Sequence, residues 1–150
     1  MNLYMLLHQD HEKAKSLFAQ LEASGEDEQD RRERLFSTLF RELNLHSDAE
    51  ERYFYSRLKV SDETRETTLE SLDDHKGMKR LLAALGRMDV GTPEWTAKCR
   101  QLREECEVHI AREEEELFPL ARRIIEDEEA AGIAEDIEAY KEERAEIEIF

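Results

Sequence analysis

Along most of this chain apolar residues recur at alternating three- and four-residue spacing, the pattern of helices that bury one seam against other helices. The first seam reads Leu7, His11, Ala14, Phe18, Leu21. The second reads Phe36, Leu39, Leu43, His46, Glu50, Tyr53, flanked by Phe40 and Phe54. A third, less strict, is Leu69, Leu72, His75, Met78, Leu82, Leu85. The fourth runs Trp95, Cys99, Leu102, Cys106, His109, Glu113, then Leu117 and Leu120. With five Gly and two Pro in 150 residues, and much Glu, Leu, Ala, Arg and Lys, little interrupts such helices.

Turn and capping residues separate the seams: Ser24-Gly25-Glu26-Asp27, Val60-Ser61-Asp62 and Asp89-Val90-Gly91-Thr92-Pro93. In the last, Thr92 suits the cap and Pro93 the first helical position, where no backbone N–H is needed. The pattern predicts helices near 3–23, 28–59, 63–88 and 94–118. Pro119 is expected to kink or end the fourth. Beyond it Ile124, Ile125, Ile133, Ile137 and Tyr140 suggest a shorter extra helix covering the bundle, with Gly132 as a break. The expected fold is all-α: an up-down-up-down four-helix bundle with an additional C-terminal helix. Residues 1–150 form one domain in this reading, the bundle about 3–118 and the extension about 119–150.

The net charge of −16 repels nucleic acid phosphates and anionic lipid headgroups, so neither nucleic acid nor a membrane is an expected partner. The opening residues lack a basic leader, and no apolar run approaches membrane-spanning length. A cytoplasmic location is expected. Cys99 and Cys106, seven residues apart on one helix, are separated by about 10 Å of rise and read as reduced core thiols rather than a disulfide.

His11, His46, Glu50, His75, His109 and Glu113 occupy seam positions that neighbouring turns fill with Leu, Phe, Met and Cys. A buried carboxylate is rare unless it is paired or bound to metal, because desolvating it alone costs several kcal/mol. His46 and Glu50 are four residues apart, as are His109 and Glu113, so each pair lies on one helical face. The bundle topology gives an independent check. Residues at one height in antiparallel neighbours are equidistant from the turn that joins them. The midpoint between each successive pair of these His or His/Glu positions falls in or beside a proposed turn. All six side chains therefore reach one level with short loops.

Four imidazoles and two carboxylates exceed one tetrahedral shell, so they suit a pair of iron or manganese ions better than a structural zinc. Eight donor atoms do not saturate two five- or six-coordinate ions, which leaves room for solvent or a small ligand.

These residues carry a resemblance. Leu6-Leu7-His8-Gln9-Asp10-His11-Glu12, the stretch from His46 to Tyr55, Asp74-His75-Lys76, and the stretch from His109 to Pro119 resemble the hemerythrin-like, or HHE cation-binding, domain over nearly the first 120 residues. The resemblance implies a four-helix bundle around a non-haem di-iron centre that binds dioxygen or responds to nitric oxide, peroxide, redox state or iron supply. Hemerythrins proper carry two histidines a turn apart on the third helix, whereas His75 has Ser71 and Lys79 at those offsets. His8 is a further candidate, as a ligand or as the partner of one. Tyr53, Tyr4, Leu69 and Leu117 are expected to form the packing layer on the carboxylate side. The run Glu113-Glu114-Glu115-Glu116 reads as one ligand followed by solvated acids.

The expected function is binding or sensing of a small ligand such as dioxygen or nitric oxide. The alternative is a di-iron oxidoreductase acting on peroxide, or an iron–sulfur cluster repair factor. Binding is favoured over catalysis because Tyr53 and His8 are the sole visible candidates for proton delivery. No catalytic residue is assigned.

Overall fold

In the computed structural model, which describes residues 1–149 and side chains as far as Ala145, every regular element is helical. Helix α1 is Leu3–Ala23. Helix α2, Gln29–Ala49, continues through a π-helical segment, Glu50–Tyr55, into the short α3, Ser56–Leu58. Helix α4 is Arg65–Leu85. Helix α5, Pro93–Arg112, passes through a second π segment, Glu113–Leu117, into α6, Phe118–Ile124, and α7 is Asp127–Ile149. The chain's last residue, inside the expected extension, lies outside the described residues.

Capping follows side-chain chemistry. The Asn2 side chain accepts from the Met5 N–H at 2.9 Å, and Thr92 Oγ1 accepts from Trp95 N–H at 3.2 Å with Pro93 behind it. At the Thr92 end of the bundle Arg32 is buried. Its guanidinium donates to Ser24 Oγ, Ser24 O, Val90 O and Thr96 Oγ1 at 2.7–3.0 Å and lies over the Trp95 ring. One side chain thereby ties α2 to the turns before it and before α5.

Helix α1 packs on α2 and α5, and α4 packs on α5 and more lightly on α2, which closes a four-helix ring of alternating direction. The core has two parts. One holds Phe18, Phe36, Leu39, Leu82, Trp95 and Leu102. The other holds Leu3, Leu7, Phe54, Leu58, Leu117 and Phe118, and α7 docks Ile133 and Ile137 into it. The seam of each long helix crosses from one part to the other through His11, His46, His75 or His109.

Several expectations about local structure change. Of the two outcomes expected at Pro119, a kink or an end, the end does not occur, and the helix runs on to Ile124; the π segment before it has already broken the α-helical hydrogen-bond register there, and Phe118 N–H bonds to Glu113 O. The real break is Ile125, extended at φ −106°, ψ 119°. Gly132 does not interrupt α7 and the helix is not short: it spans 23 residues, because Ala130, Ile133, Ala134 and Ile137 bury around a glycine that faces open space. Leu69 is 49% exposed, and the lower seam of α4 consists instead of the fully buried Thr68 and Ser71, one residue earlier.

Candidate metal centre

Each His-x-x-x-Glu pair ends where a π segment begins. Glu50 and Glu113 are the first residues of the two π segments, and both are wholly buried. A π turn inserts one residue into the α-helical register, so the seam after each glutamate advances by one. On α2 and its continuation the buried residues after Glu50 are Phe54, Tyr55 and Leu58, and after Glu113 they are Leu117, Phe118 and Ala121. Tyr53 and Leu120, expected in the seam, are thereby turned toward its edge.

His11, His46, His75 and His109 are at most 7% exposed and point their Nε2 atoms to the same interior space. His11 Nε2 lies 2.9 Å from Glu113 Oε1, His46 Nε2 3.0 Å and His75 Nε2 3.3 Å from Glu50 Oε1, and His109 Nε2 3.5 Å from Glu113 Oε1. The Nε2 atoms of His75 and His109 are 3.1 Å apart. The donors fall into two groups, each with its atoms within 4.8 Å of one another: His11, His46, Glu50, Glu113, and Glu50, His75, His109. Glu50 belongs to both.

The outer nitrogens follow a rule. Asp10 of α1 faces His46 Nδ1 on α2 at 2.8 Å, and Glu51 beside Glu50 faces His75 Nδ1 on α4 at 2.8 Å. Asp74 of α4 faces His109 Nδ1 on α5 at 3.0 Å, and Glu114 beside Glu113 faces His11 Nδ1 on α1 at 2.7 Å. Each helix thus orients the imidazole of the next, and the ring closes. A carboxylate on Nδ1 holds its proton there and leaves Nε2 as a lone-pair donor aimed inward. Glu114 is therefore not a merely solvated acid. His8, half exposed, lies 3.0 Å from the Glu114 carboxylate, so it stands behind that acid and outside both donor groups.

Residues that sequence reasoning missed complete the picture. Tyr55 is buried against the glutamates: its hydroxyl donates to Glu113 Oε2 and lies 3.3 Å from Glu50 Oε1 and 3.4 Å from His75 Nε2. In unbroken α-helical spacing a residue five after Glu50 leaves the seam, so only the π insertion brings Tyr55 inside. The outer acids had a weak signal, since each adjoins a site residue in sequence.

Electrostatics exposes how much this cluster depends on positive charge. Burial alone would lower the pKa of His46, yet the charge of Glu50 beside it and the Asp10 carboxylate on Nδ1 raise it to about 10. His75 goes the same way, to about 9, through Glu50 and Glu51 against the pull of burial. Burial opposes ionisation of Glu50, but the His46 charge holds its carboxyl well below the usual range. Burial, then the charges of Glu113 and Glu50, push the Tyr55 hydroxyl well above its ordinary value. Even so, Glu50 Oε2 has no hydrogen-bond partner, and His46 Nε2 makes no directed hydrogen bond despite its distance from Glu50. Buried orphans of this kind, converging with other nitrogen and oxygen donors, fit a bound cation.

On the side away from Tyr55 a cavity of about 20 Å³ adjoins the imidazoles, walled by Ala14, Leu43, Met78, Cys106 and Ile110. Cys106 and Cys99 are free and buried, and burial raises their thiols to about 12 and about 11, so both are inert acids.

Fold and site together define an all-helical bundle protein with a buried His/Glu cluster that could hold a cation. The hemerythrin HHE cation-binding domain family matches residues 2–121, and the chain belongs to that family. A crystal structure of a hemerythrin HHE cation-binding domain-containing protein from Mycobacterium kansasii superimposes with a TM-score of 0.82 at 22% identity, over 95% of this chain and 86% of that one. A protein of Nostoc sp. named DNA nickase is 29% identical over 141 residues, which make up 94% of this chain and 39% of the relative. The chain therefore spans well under half the length of that curated relative.

Proposed function

We propose that this chain is a non-haem di-iron protein that binds or senses a small ligand such as dioxygen or nitric oxide. His11, His46, Glu50, His75, His109 and Glu113 hold the two ions, and Tyr55 offers a further oxygen. The observation that carries this reading is the pair of donor groups sharing Glu50, with every imidazole Nδ1 anchored outward. When bound, iron supplies reversible coordination and one-electron chemistry. The chain's own part is to orient the imidazoles, exclude bulk water through the two apolar cores, and leave space beside the histidines for a ligand of diatomic or peroxide size.

Residues 1–150 work as one domain in this reading, in the cytoplasm, without nucleic acid as a partner. Its support is the net charge of −16 and the fact that, among the described residues, no helix is long and apolar enough to cross a membrane. The nicking named for the Nostoc relative is not carried over, because most of that protein lies beyond the shared region.

A second reading, an oxidoreductase consuming peroxide or repairing iron–sulfur clusters, draws on Tyr55. It puts a hydroxyl in contact with both glutamates, the inward proton donor that the sequence did not reveal. Exposure of the reduced, iron-loaded protein to air or nitric oxide separates the two. A new absorption band at about one ligand per site, without sustained consumption, supports binding. Peroxide loss at many equivalents per site, abolished by Glu113→Ala, establishes the enzyme. A verified di-iron sample whose spectrum neither perturbs would defeat both.

A further inference from the structure

The four outer carboxylates each meet a further side chain on their outer side. Arg112 is bonded to Asp74, Lys79 Nζ lies 3.8 Å from Glu51, His8 3.0 Å from Glu114, and Lys141 is bonded to Asp10. Arg112, Lys79 and His8 sit on bundle helices. Lys141 comes from α7, beyond residues 2–121 that the family accounts for.

We propose that α7 governs the cation subsite of His11, His46, Glu50 and Glu113 through the chain Lys141–Asp10–His46, with Lys141 as the positioning residue. The inference rests on the metal-centre reading above.

Surface ion pairs ordinarily position nothing, because both side chains are mobile and screened. This one differs: Lys141 and Asp10 keep only 21% and 20% of their side chains exposed. The backbone under Lys141 is also fixed. Helix α7 packs on α1, α2 and the first π segment; Ile133 and Ile137 are buried in the core, and Tyr140 packs edge-on against Tyr53 one residue before the lysine. The ammonium accordingly holds the Asp10 carboxylate in place as the acceptor for His46 Nδ1–H. Without it, Asp10 can turn toward solvent, and His46 loses the partner that sets its tautomer and ring angle. His75 and His109 depend instead on Glu51 and Asp74, which draw on Lys79 and Arg112 of the bundle itself. The effect should therefore fall on one ion and spare the other.

Titration of the metal-free, full-length chain with cobalt(II), with chelator competition to resolve the two steps, tests this. Lys141→Met is expected to loosen one cobalt about 10- to 100-fold and leave the other at its wild-type affinity. Lys141→Arg should restore the first. In the cobalt-loaded protein, the paramagnetically shifted Nδ1–H proton resonance of His46 should exchange faster with water in the Met variant than in the wild type. Asp10→Asn, which leaves the packing of α7 intact, reads the same chain from its other end should the Met variant fail to fold. Wild-type affinities at both steps, or equal loosening of both, would overturn the proposal. A wild-type chain that takes up no cobalt would overturn the metal-centre reading itself, a result plainly different from either.

Discussion

Tyr55 shows most clearly how one residue changes the account. Its hydroxyl contacts both buried glutamates and comes within 3.4 Å of His75 Nε2, on the third long helix, where hemerythrins proper carry a second histidine. Tyr55→Phe keeps the ring that stacks on His75 and removes only the oxygen. We expect the variant to retain metal, with affinity lowered about tenfold, and to lose or shift the visible absorption of its oxidised iron form. An unchanged spectrum and affinity would reduce Tyr55 to packing. At this scale the sequence was informative where chemistry is unusual: a His or Glu amid Leu and Phe announces itself. It is faint where chemistry is ordinary. Asp10, Glu51, Asp74 and Glu114 each adjoin a site residue but otherwise look like any other acids in a chain with 38 of them, and three-dimensional proximity is what singles them out.

At the scale of elements, the long helices were legible because the three-and-four spacing, the Thr92-Pro93 start and the short polar turns all agree. What was not legible was a change of helical register. A π segment has no composition of its own, so the sequence spacing puts Tyr53 and Leu120 in seams that have already moved by one residue. Leu69 departs for another reason: an apolar residue is not always a buried one, and the fully buried Thr68 and Ser71 take the interior positions. Helix α7 makes a prediction of its own. A Cβ at Gly132 would meet nothing within 4 Å, in the middle of a 23-residue helix. Gly132→Ala should therefore stabilise the fold by about 0.5–1 kcal/mol and raise the melting temperature by roughly 2 °C, with metal content unchanged. A fall in melting temperature would mean that α7 is not continuous there.

For the molecule as a whole, charge balance in the centre links metal, proton and stability. Without metal, His46 and His75 carry folded pKa values of about 10 and about 9 against an ordinary 6.5. Their stabilisation is fully present below about pH 6.5 and is lost as pH rises through 9 and 10. The lowered pKa of Glu50, Asp10 and Glu51 acts oppositely: that stabilisation is present above their ordinary values and is lost as pH falls below them. The melting temperature of the apo protein should thus peak in mildly acidic solution and decline toward pH 9. Metal competes with the imidazole protons, so the rise in melting temperature on adding metal should grow over the same interval. A gain that shrinks with rising pH would contradict the placement of these histidines around a shared cation centre.

The most direct test of that centre is a count of metal in protein purified from iron-replete medium, made on the wild type beside two glutamate variants of the same π segment. The account predicts about two iron ions per wild-type chain and loss of most of them in Glu113→Ala, whose carboxylate is wholly buried. Glu115→Ala, exposed on the outer face, should keep both. A single tetrahedral zinc in the wild type, or equal loss of metal in both variants, would contradict it.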